Sequence, residues 1–327
     1  PASRIPHPAS RIPHPASRIP HPASRIPMHP PISGVLGPVV STFDVESGEL
    51  APVAFRANIR AHLADGLAGV VIAGSTGEAA LLDERERAQL VEWARPLVPD
   101  DRWLIVGVGA ESTRLAIRRC HEAAERGADA VLVVAPHYYT AAMTPDALVT
   151  HFRRVADESP VPVLLYNIPK YVHFALEPGL VQELASHENI VGIKDSSGDL
   201  KLLAGYLSAQ SPTFSVLTGH GGSLYAALEM GARGGILAVS LFAGRVAADL
   251  CSAFARGELP RAGRAQETLQ PLNKTIVGAL GVAGVKAALD AVGMHGGPVR
   301  PPLLPLSAKD RAEVETLLRA AELPKVA

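Results

Sequence analysis

The chain has 327 residues, of which 47% are apolar and only 5% aromatic. This length allows two ordinary domains or one large α/β barrel with an appendage, and the apolar content excludes a chain that is disordered throughout. From Met28 onward there are 27 Lys and Arg against 32 Asp and Glu, because residues 1–27 contain four Arg and no acidic residue. This mildly acidic balance argues against nucleic-acid binding.

Residues 1–27 consist of the heptapeptide PASRIPH three times in tandem, followed by PASRIP. Two prolines in each copy oppose helix formation, so the seven-residue period does not indicate a coiled coil. We interpret the repeat as a cloning or start-site scar or a disordered tail, with Met28 as the natural start. No run approaches 18 apolar residues and no secretory leader is recognisable, which favours a cytoplasmic protein that makes no contact with a membrane.

Eight short apolar runs follow one another along the chain. They occupy residues 34–43, 68–75, 103–110, 130–136, 161–167, 190–196, 214–219 and 234–240. Each run is continuous rather than alternating, which is typical of parallel strands that are buried on both faces. Amphipathic, helix-like segments separate them, among them residues 83–98, 111–127, 144–158 and 223–232.

Strand followed by helix, eight times, predicts an α/β fold of the (β/α)8 TIM-barrel type over residues 28–256. A doubly wound sheet is disfavoured because Gly107-Val-Gly109 lacks the third glycine of a dinucleotide-binding fingerprint. After the eighth run the strand signals stop, and residues 257–327 are predicted to form a helical C-terminal cap. This cap could cover one end of the barrel or pack against another subunit.

Few residues suit a metal or a disulfide. Cys120 and Cys251 are the two cysteines, both in helix-like segments, and we expect buried free thiols. His137, His173 and His220 share no helical spacing with a carboxylate, so no metal site and no cofactor are expected.

Lys194 is the most informative residue at the strand ends, where the active site of a TIM barrel lies. It is one of seven lysines and follows Ile-Val-Gly-Ile in a strand that should be buried. A lysine in such a place can attack a ketone as a neutral amine and form a Schiff base. The alternative is a structural ion pair with the adjacent Asp195, and spacing alone does not decide between them.

Three further features at the strand ends have both a chemical and a structural interpretation. Tyr166 could relay protons in the same cavity or be a rim tyrosine in water. The turn Gly74–Glu78 could hold a carboxylate or phosphate, while Ser75 or Thr76 could simply cap a helix. The run Gly219–Gly222 could bind phosphate or be a tight turn.

The motifs GSTGE (74–78), YNIP (166–169) and GIKDSSG (192–198) resemble those of the dihydrodipicolinate synthase / N-acetylneuraminate lyase family. The resemblance extends from Met28 to the C-terminus. It implies a class I enzyme that handles pyruvate on a (β/α)8 barrel and a homotetramer built as a dimer of dimers. It also implies that Lys194 forms the Schiff base and that Tyr166 shuttles protons.

By the same resemblance, Ser75 and Thr76 bind the carboxylate of pyruvate and connect Tyr166 to a tyrosine from a neighbouring subunit. That tyrosine is Tyr138 or Tyr139, and counting forward from Pro136 favours Tyr138. Further substrate-binding residues are then expected at the ends of later strands, namely Ser196, Gly219 and Leu237.

The reaction is less constrained by the motifs. Residues 190–199, 231–240 and 281–303 look closer to the 4-hydroxy-2-oxoglutarate aldolase branch, which yields pyruvate and glyoxylate. Dihydrodipicolinate synthases, which condense pyruvate with aspartate semialdehyde, typically have an arginine where this chain has Tyr171, and Lys170 is at best a partial substitute.

We therefore expect an aldolase that cleaves a 4-hydroxy-2-oxo acid, with the synthase or a sugar-acid lyase or dehydratase as alternatives. Two other classes of function are considered. One is a barrel that binds a metabolite without catalysis, and the other is a phosphate-binding barrel enzyme that forms no Schiff base. Trapping with pyruvate and borohydride separates the first class from both of these.

Overall fold

The computed structural model describes residues 31–323, so the predicted tail and Met28 lie outside the described residues. Eight parallel strands pair in sequence order and close into a barrel. They are β1 Gly34–Pro38, β2 Gly69–Ile72, β3 Trp103–Gly107, β4 Ala130–Val134, β5 Val163–Asn167, β6 Ile190–Asp195, β7 Ser215–Thr218 and β8 Gly234–Ile236. The prediction of a (β/α)8 TIM barrel is therefore confirmed.

Several strands are shorter than the apolar runs that predicted them. The first run, 34–43, leaves the sheet after Pro38, and the eighth run ends as a strand at Ile236 and continues as a 3-10 turn over Ala238–Leu241. The residues beyond these strands remain buried, except that Ala238 is half-buried. An apolar run thus predicts which residues are buried. It does not predict where a strand ends, because that depends on where the neighbouring strand stops pairing with it.

Helices follow the strands on the outside of the barrel. Up to the eighth strand they are α1 Pro52–Ala64, α2 Glu84–Ala94, α3 Thr113–Glu125, α4 Pro145–Glu158, α5 Pro169–Val172, α6 Pro178–Leu184, α7 Leu200–Leu207 and α8 Leu224–Glu229. After it come α9 Gly244–Ala255, α10 Leu259–Leu272, a π-helical segment Asn273–Ala279, α11 Gly281–Ala291 and α12 Ala308–Ala320. In the described part of the chain, no helix has both the length and the apolarity to cross a membrane.

The C-terminal helices share a core with the barrel. One cluster of buried side chains joins Val35 of β1 and Leu250 of α9 to Leu272, Val285 and Val314 of the later helices. We retain residue 256 as a proposed boundary of the barrel, although packing is continuous across it. Both cysteines are free thiols as expected, with Cys120 buried and Cys251 half-buried.

Two buried histidines make the stability of the fold depend on pH. His62 of α1 is fully buried, and neither ring nitrogen has a hydrogen-bond partner among residues 31–323. Burial lowers the pKa of His62 to about 4, and burial likewise lowers the pKa of His151 in α4 to about 4. Both imidazoles are therefore neutral in the folded protein at neutral pH.

We expect the free energy of unfolding to fall as the pH falls from about 6.5 toward 4. In this window the unfolded chain binds a proton at His62 that the folded chain does not, which lowers stability by about 2 kcal/mol at pH 5. Denaturant unfolding at pH 7 and pH 5 measures this, with His62→Leu as the comparison. An equal loss in both proteins would show that His62 makes no contribution to the pH dependence.

Candidate active site

The carboxyl ends of the strands surround a cavity of about 720 Å³, a volume that includes space open to solvent. Because all strands of the barrel are parallel, their carboxyl ends meet on one side. Many of the residues that line the cavity come from strands or the loops directly after them, among them Ser75, Tyr166, Lys194, Ser196, Gly219 and Ile236. The cavity therefore lies where the sequence predicts an active site.

Lys194 and Tyr166 lie side by side in this cavity. They are paired residues of the neighbouring strands β6 and β5, which explains their spacing along the chain. Each is only 5% exposed, and Nζ of Lys194 lies 4.2 Å from the centre of the Tyr166 ring. Among residues 31–323, the side-chain amine of Lys194 has no ion-pair or hydrogen-bond partner. Its amine is thus directed at the phenol ring and is not neutralised by a carboxylate.

Asp195 does not pair with Lys194, so the structural alternative for this lysine is wrong. Its Oδ1 accepts hydrogen bonds from Nδ2 of Asn167 (2.8 Å) and from the backbone N–H of Ser197 (3.0 Å), and its Oδ2 accepts one from Oγ of Ser197 (2.9 Å). Burial raises the pKa of Asp195, and these hydrogen bonds oppose that shift. Consecutive residues of a strand point to opposite faces, which separates the two side chains.

The loop of residues 73–78, which we call the β2 loop, brings Ser75 and Thr76 to the cavity wall. Oγ of Ser75 lies 3.5 Å from Oη of Tyr166, at the limit of hydrogen bonding. Neither hydroxyl caps a helix, contrary to the alternative interpretation. Helix α2 is instead capped by Asp83, whose side chain accepts from the backbone of Glu86 in a capping box.

Two of the other three expected substrate-binding residues lie at the cavity. Ser196 and Gly219 line it, and a Cβ atom at Gly219 would approach Oγ of Ser196 to 1.9 Å, so only glycine fits there. Leu237 is fully buried in the cluster formed by β1 and the C-terminal helices. Its neighbours Ile236 and Ala238 face the cavity instead. The Leu237 side chain therefore does not line this cavity, and the assignment of Leu237 as a substrate-binding residue stays a prediction.

Tyr138 and Tyr139, one of which is predicted to reach a neighbouring subunit, lie outside this cavity. Tyr138 is 78% exposed and Tyr139 71% exposed, and their rings meet edge to face with centres 5.1 Å apart. The carboxylate of Glu111 accepts the backbone N–H of Tyr138 at 2.8 Å and fixes the start of this turn. The role of Tyr138 in another subunit stays a prediction.

Lys170 and Tyr171 both line the cavity on the side of the C-terminal helices. Nζ of Lys170 donates a hydrogen bond to the carbonyl of Gly278 (3.0 Å) and lies 5.7 Å from the centre of the Tyr171 ring. Although the sequence places Lys170 one position from the expected arginine, a cation therefore does face this part of the cavity.

Sequence reasoning missed the contribution of the helical cap. Asn273, Gly278, Val282 and Val285 line the cavity, and the first two belong to the π-helical segment. Nδ2 of Asn273 donates to Nε2 of His220, a second lining residue (3.3 Å). Burial lowers the pKa of His220, which favours the neutral ring as the acceptor. A helical pattern interrupted by Pro271 is the signal that could have indicated irregular backbone here.

Within the described residues, no group of three or more His, Cys, Asp or Glu side chains could hold a metal ion. The run Gly219–Gly222 brings the His220 ring to the cavity and has no arginine among its hydrogen-bond partners in this part of the structure. The arrangement as a whole offers an amine, a phenol and several hydroxyls around one opening. These groups suit addition of a lysine to a small ketone followed by proton transfer.

Comparison with known proteins shows which family has similar sequences and structures. The model of the dihydrodipicolinate synthetase family matches residues 31–321. A 4-hydroxy-tetrahydrodipicolinate synthase of Methanothrix thermoacetophila is 33% identical over 288 residues, which cover 87% of this chain and 95% of the relative. Further relatives that are 31–34% identical have the same name. None of these relatives is named for the 4-hydroxy-2-oxoglutarate aldolase branch that the sequence favoured.

Solved structures of the same family superpose closely. YagE, a prophage protein of E. coli K12 solved in complex with pyruvate, is 30% identical and matches with a TM-score of 0.84, covering 89% of this chain and 99% of its own. A structure described as the first monomeric dihydrodipicolinate synthase variant is 28% identical and matches with a TM-score of 0.85, covering 89% of this chain and 97% of its own.

Proposed function

The chain belongs to the dihydrodipicolinate synthetase family, whose members are carbon–carbon lyases and condensing enzymes that act through a lysine Schiff base with pyruvate, and we propose that Lys194 is that lysine. The observation that carries this proposal is the buried Nζ of Lys194, which faces the Tyr166 ring in an open cavity without an ionic partner among residues 31–323. Pyruvate in the related YagE structure supports the choice of ketone.

The reaction begins when the free amine of Lys194 adds to the ketone carbon of pyruvate. Loss of water from the resulting carbinolamine gives the Schiff base, and Tyr166 supplies the proton that this water takes with it. Tyr166, now a phenolate, takes a methyl proton to give an enamine, and it returns this proton to the aldehyde oxygen as the enamine carbon attacks the aldehyde carbon. Hydrolysis of the new Schiff base then releases the product and regenerates the amine. Cleavage of a 4-hydroxy-2-oxo acid follows the same steps in reverse.

We assign the carboxylate of pyruvate to the hydroxyls and N–H groups of the β2 loop, with Ser75 and Thr76 at the cavity wall. Oγ of Ser75 also lies within reach of the Tyr166 phenol, so the residue that holds the substrate also orients the proton shuttle. Ser196 and Gly219 line the cavity directly after β6 and β7, and Oγ of Ser196 occupies the space that a Cβ atom at residue 219 would take.

For the aldehyde, we propose one that carries a carboxylate, held by Lys170. The ammonium donates one proton to the Gly278 carbonyl and has two more N–H donors for a ligand in the cavity. Because the relatives are named 4-hydroxy-tetrahydrodipicolinate synthases, we infer that the leading reaction is condensation of pyruvate with aspartate semialdehyde.

Cleavage of 4-hydroxy-2-oxoglutarate to pyruvate and glyoxylate is the second candidate. It is favoured by Tyr171, which stands where the synthases have an arginine and cannot make a bidentate ion pair with a carboxylate. Glyoxylate also has a carboxylate that Lys170 could bind, so Lys170 serves either reaction. Coupled assays of both reactions on one preparation distinguish them: efficient condensation with negligible pyruvate release supports the synthase, and the converse result supports the aldolase.

Lys170→Met is expected to lower kcat/KM for the aldehyde or the cleaved acid by about 10- to 100-fold, because a hydrogen bond to a charged group is lost. Borohydride trapping of pyruvate at Lys194 should be unchanged. Lys274→Met is the matched control, because Lys274 is an exposed lysine of the same π-helical segment outside the cavity wall. Equal activities in the two variants would remove Lys170 from the aldehyde site.

The assembly and location are proposals of the same kind. We propose a homotetramer in which the exposed Tyr138 reaches a neighbouring subunit, in a cytoplasmic enzyme. A monomeric variant exists among the related structures, so the assembly has to be measured for this chain. Sedimentation of the purified protein provides that measurement.

A further inference from the structure

A buried ion pair joins the β2 loop to the C-terminal helices. Oε1 of Glu78 lies 2.5 Å from Nζ of Lys286 in α11, and the two side chains are 0% and 2% exposed. Nζ of Lys286 also donates to the carbonyl of Pro298 (2.6 Å) and lies 4.5 Å from the centre of the Phe43 ring. The mechanism described above uses neither charge.

Such a pair is a weak source of net stability. Removing two charges from water costs several kcal/mol per ion, and an apolar pair of similar volume often serves equally well. Burial accordingly lowers the pKa of Lys286, against the attraction of Glu78. We therefore expect the ion pair to matter for the relative position of the two segments that it joins. Fixing such a geometry is the best-attested use of buried charges.

The geometry that it fixes is that of the β2 loop. Ala73 and Glu78, at the two ends of this loop, have positive φ angles of 50° and 55°, a conformation that is costly for residues other than glycine. Between them, the carbonyl of Gly77 accepts a hydrogen bond from Oγ of Ser41 (2.7 Å). The second carboxylate oxygen of Glu78 accepts the backbone N–H of Arg300 (2.8 Å). Contacts at the Glu78 end thus hold the loop in a strained form.

The other partner belongs to α11, which forms another part of the cavity wall. Val282 and Val285 of α11 line the cavity, and Lys286 is the next residue along the same helix. The ion pair therefore sets the distance between the wall that presents Ser75 and Thr76 and the wall formed by α11. Oγ of Ser75 is already 3.5 Å from Oη of Tyr166, so a small outward movement would break this contact.

We propose that Glu78 and Lys286 are a positioning pair, which holds Ser75 and Thr76 in place for pyruvate by anchoring the β2 loop to α11. This inference rests on the proposed function, because it assigns pyruvate to Ser75 and Thr76. The pair touches no substrate and acts only through the loop. Its loss should weaken pyruvate binding more than it slows turnover at saturation.

The test uses the double variant Glu78→Gln/Lys286→Met, which removes both charges and leaves no unpaired charge in the core. The KM for pyruvate is expected to rise about tenfold with a much smaller change in kcat, since one placed contact is lost. Amide hydrogen exchange of residues 74–78, measured without ligand, should become faster. The control is Arg95→Met/Asp129→Asn, which removes a 2.9 Å ion pair before β4, at the end of the barrel opposite the cavity.

Glu78→Asp provides a second arm, because it keeps the charge and tolerates the positive φ angle while it shortens the reach to Lys286. A folded double variant with an unchanged pyruvate KM and unchanged exchange at residues 74–78 overturns the proposal. So does an equal KM change in the control, or a failure of both Glu78 variants to fold, because the pair would then be structural only. If the unaltered protein traps no pyruvate, the proposed function fails, while hydrogen exchange still tests the positioning role.

Discussion

Replacing Lys194 by arginine is expected to abolish both covalent trapping of pyruvate and turnover. Arginine keeps the positive charge but stays protonated, so it has no free amine with which to attack the ketone. Incubation of the unaltered protein with pyruvate and borohydride should add one pyruvyl group per chain. Mass spectrometry of the peptides should find it on residue 194, in strand β6 beside Tyr166.

The matched control for this experiment is Lys201→Arg, because Lys201 is an exposed lysine at the start of α7 and lies outside the cavity wall. It should trap pyruvate as the unaltered protein does. An adduct that survives in Lys194→Arg, or one that maps to Lys170, would assign the Schiff base to a different residue. The loss of trapping is the largest effect expected of any single substitution in this chain.

Tyr166→Phe is expected to lower kcat by about 10²- to 10⁴-fold, the range typical of a lost general acid–base group, and to slow adduct formation. The ring beside Nζ of Lys194 is retained, so the packing of the two strands should be unchanged. What is lost is the hydroxyl, which lies 3.5 Å from Oγ of Ser75 and is proposed to relay protons during loss of water. Turnover with pyruvate and borohydride trapping over time both measure it.

Tyr225→Phe serves as the control for removal of a phenol, because Tyr225 packs against Phe254 away from the cavity. It should retain full activity. If Tyr166→Phe were equally active across the pH range, Tyr166 would be a rim residue and the proton would have to come from elsewhere. A fall in activity together with a lower melting temperature would instead indicate disturbed packing of β5.

The sequence was most informative where chemistry and local pattern coincide. Lys194 could be found because a lysine inside an apolar run is unusual, and Tyr166 because it ends the preceding strand of a parallel barrel. The direction of the Leu237 side chain could not be predicted, because the side of a strand that faces a cavity alternates with every residue and an apolar run does not show this alternation.

Contacts between distant segments could not be obtained in this way. The sequence indicates only that Glu78 belongs to a turn and that Lys286 is a polar residue of a helix. Nothing in either segment predicts that the two side chains form an ion pair. Asn273 lies in the π-helical segment after Pro271, and although Pro271 indicates irregular backbone, it does not show that this segment lines the cavity. The fold class could be predicted because the same local pattern repeats along the chain. The cavity wall formed by the C-terminal helices could not be predicted, because it depends on how these helices pack on the barrel.

The cavity wall is formed partly by the barrel and partly by helices outside the sheet, and this affects how new substrate ranges can evolve. The groups proposed to bind pyruvate lie at strand ends and in the β2 loop, where pairing in the barrel and the contacts of Glu78 restrict change. Lys170, which is proposed to hold the aldehyde, lies on α5 against Gly278 of the π-helical segment, outside the sheet. Substitutions there can exchange one aldehyde for another while the shared first half of the reaction continues. Selection can therefore produce a new substrate range without rebuilding the catalytic lysine, as expected when function resides in sites grafted on a common fold.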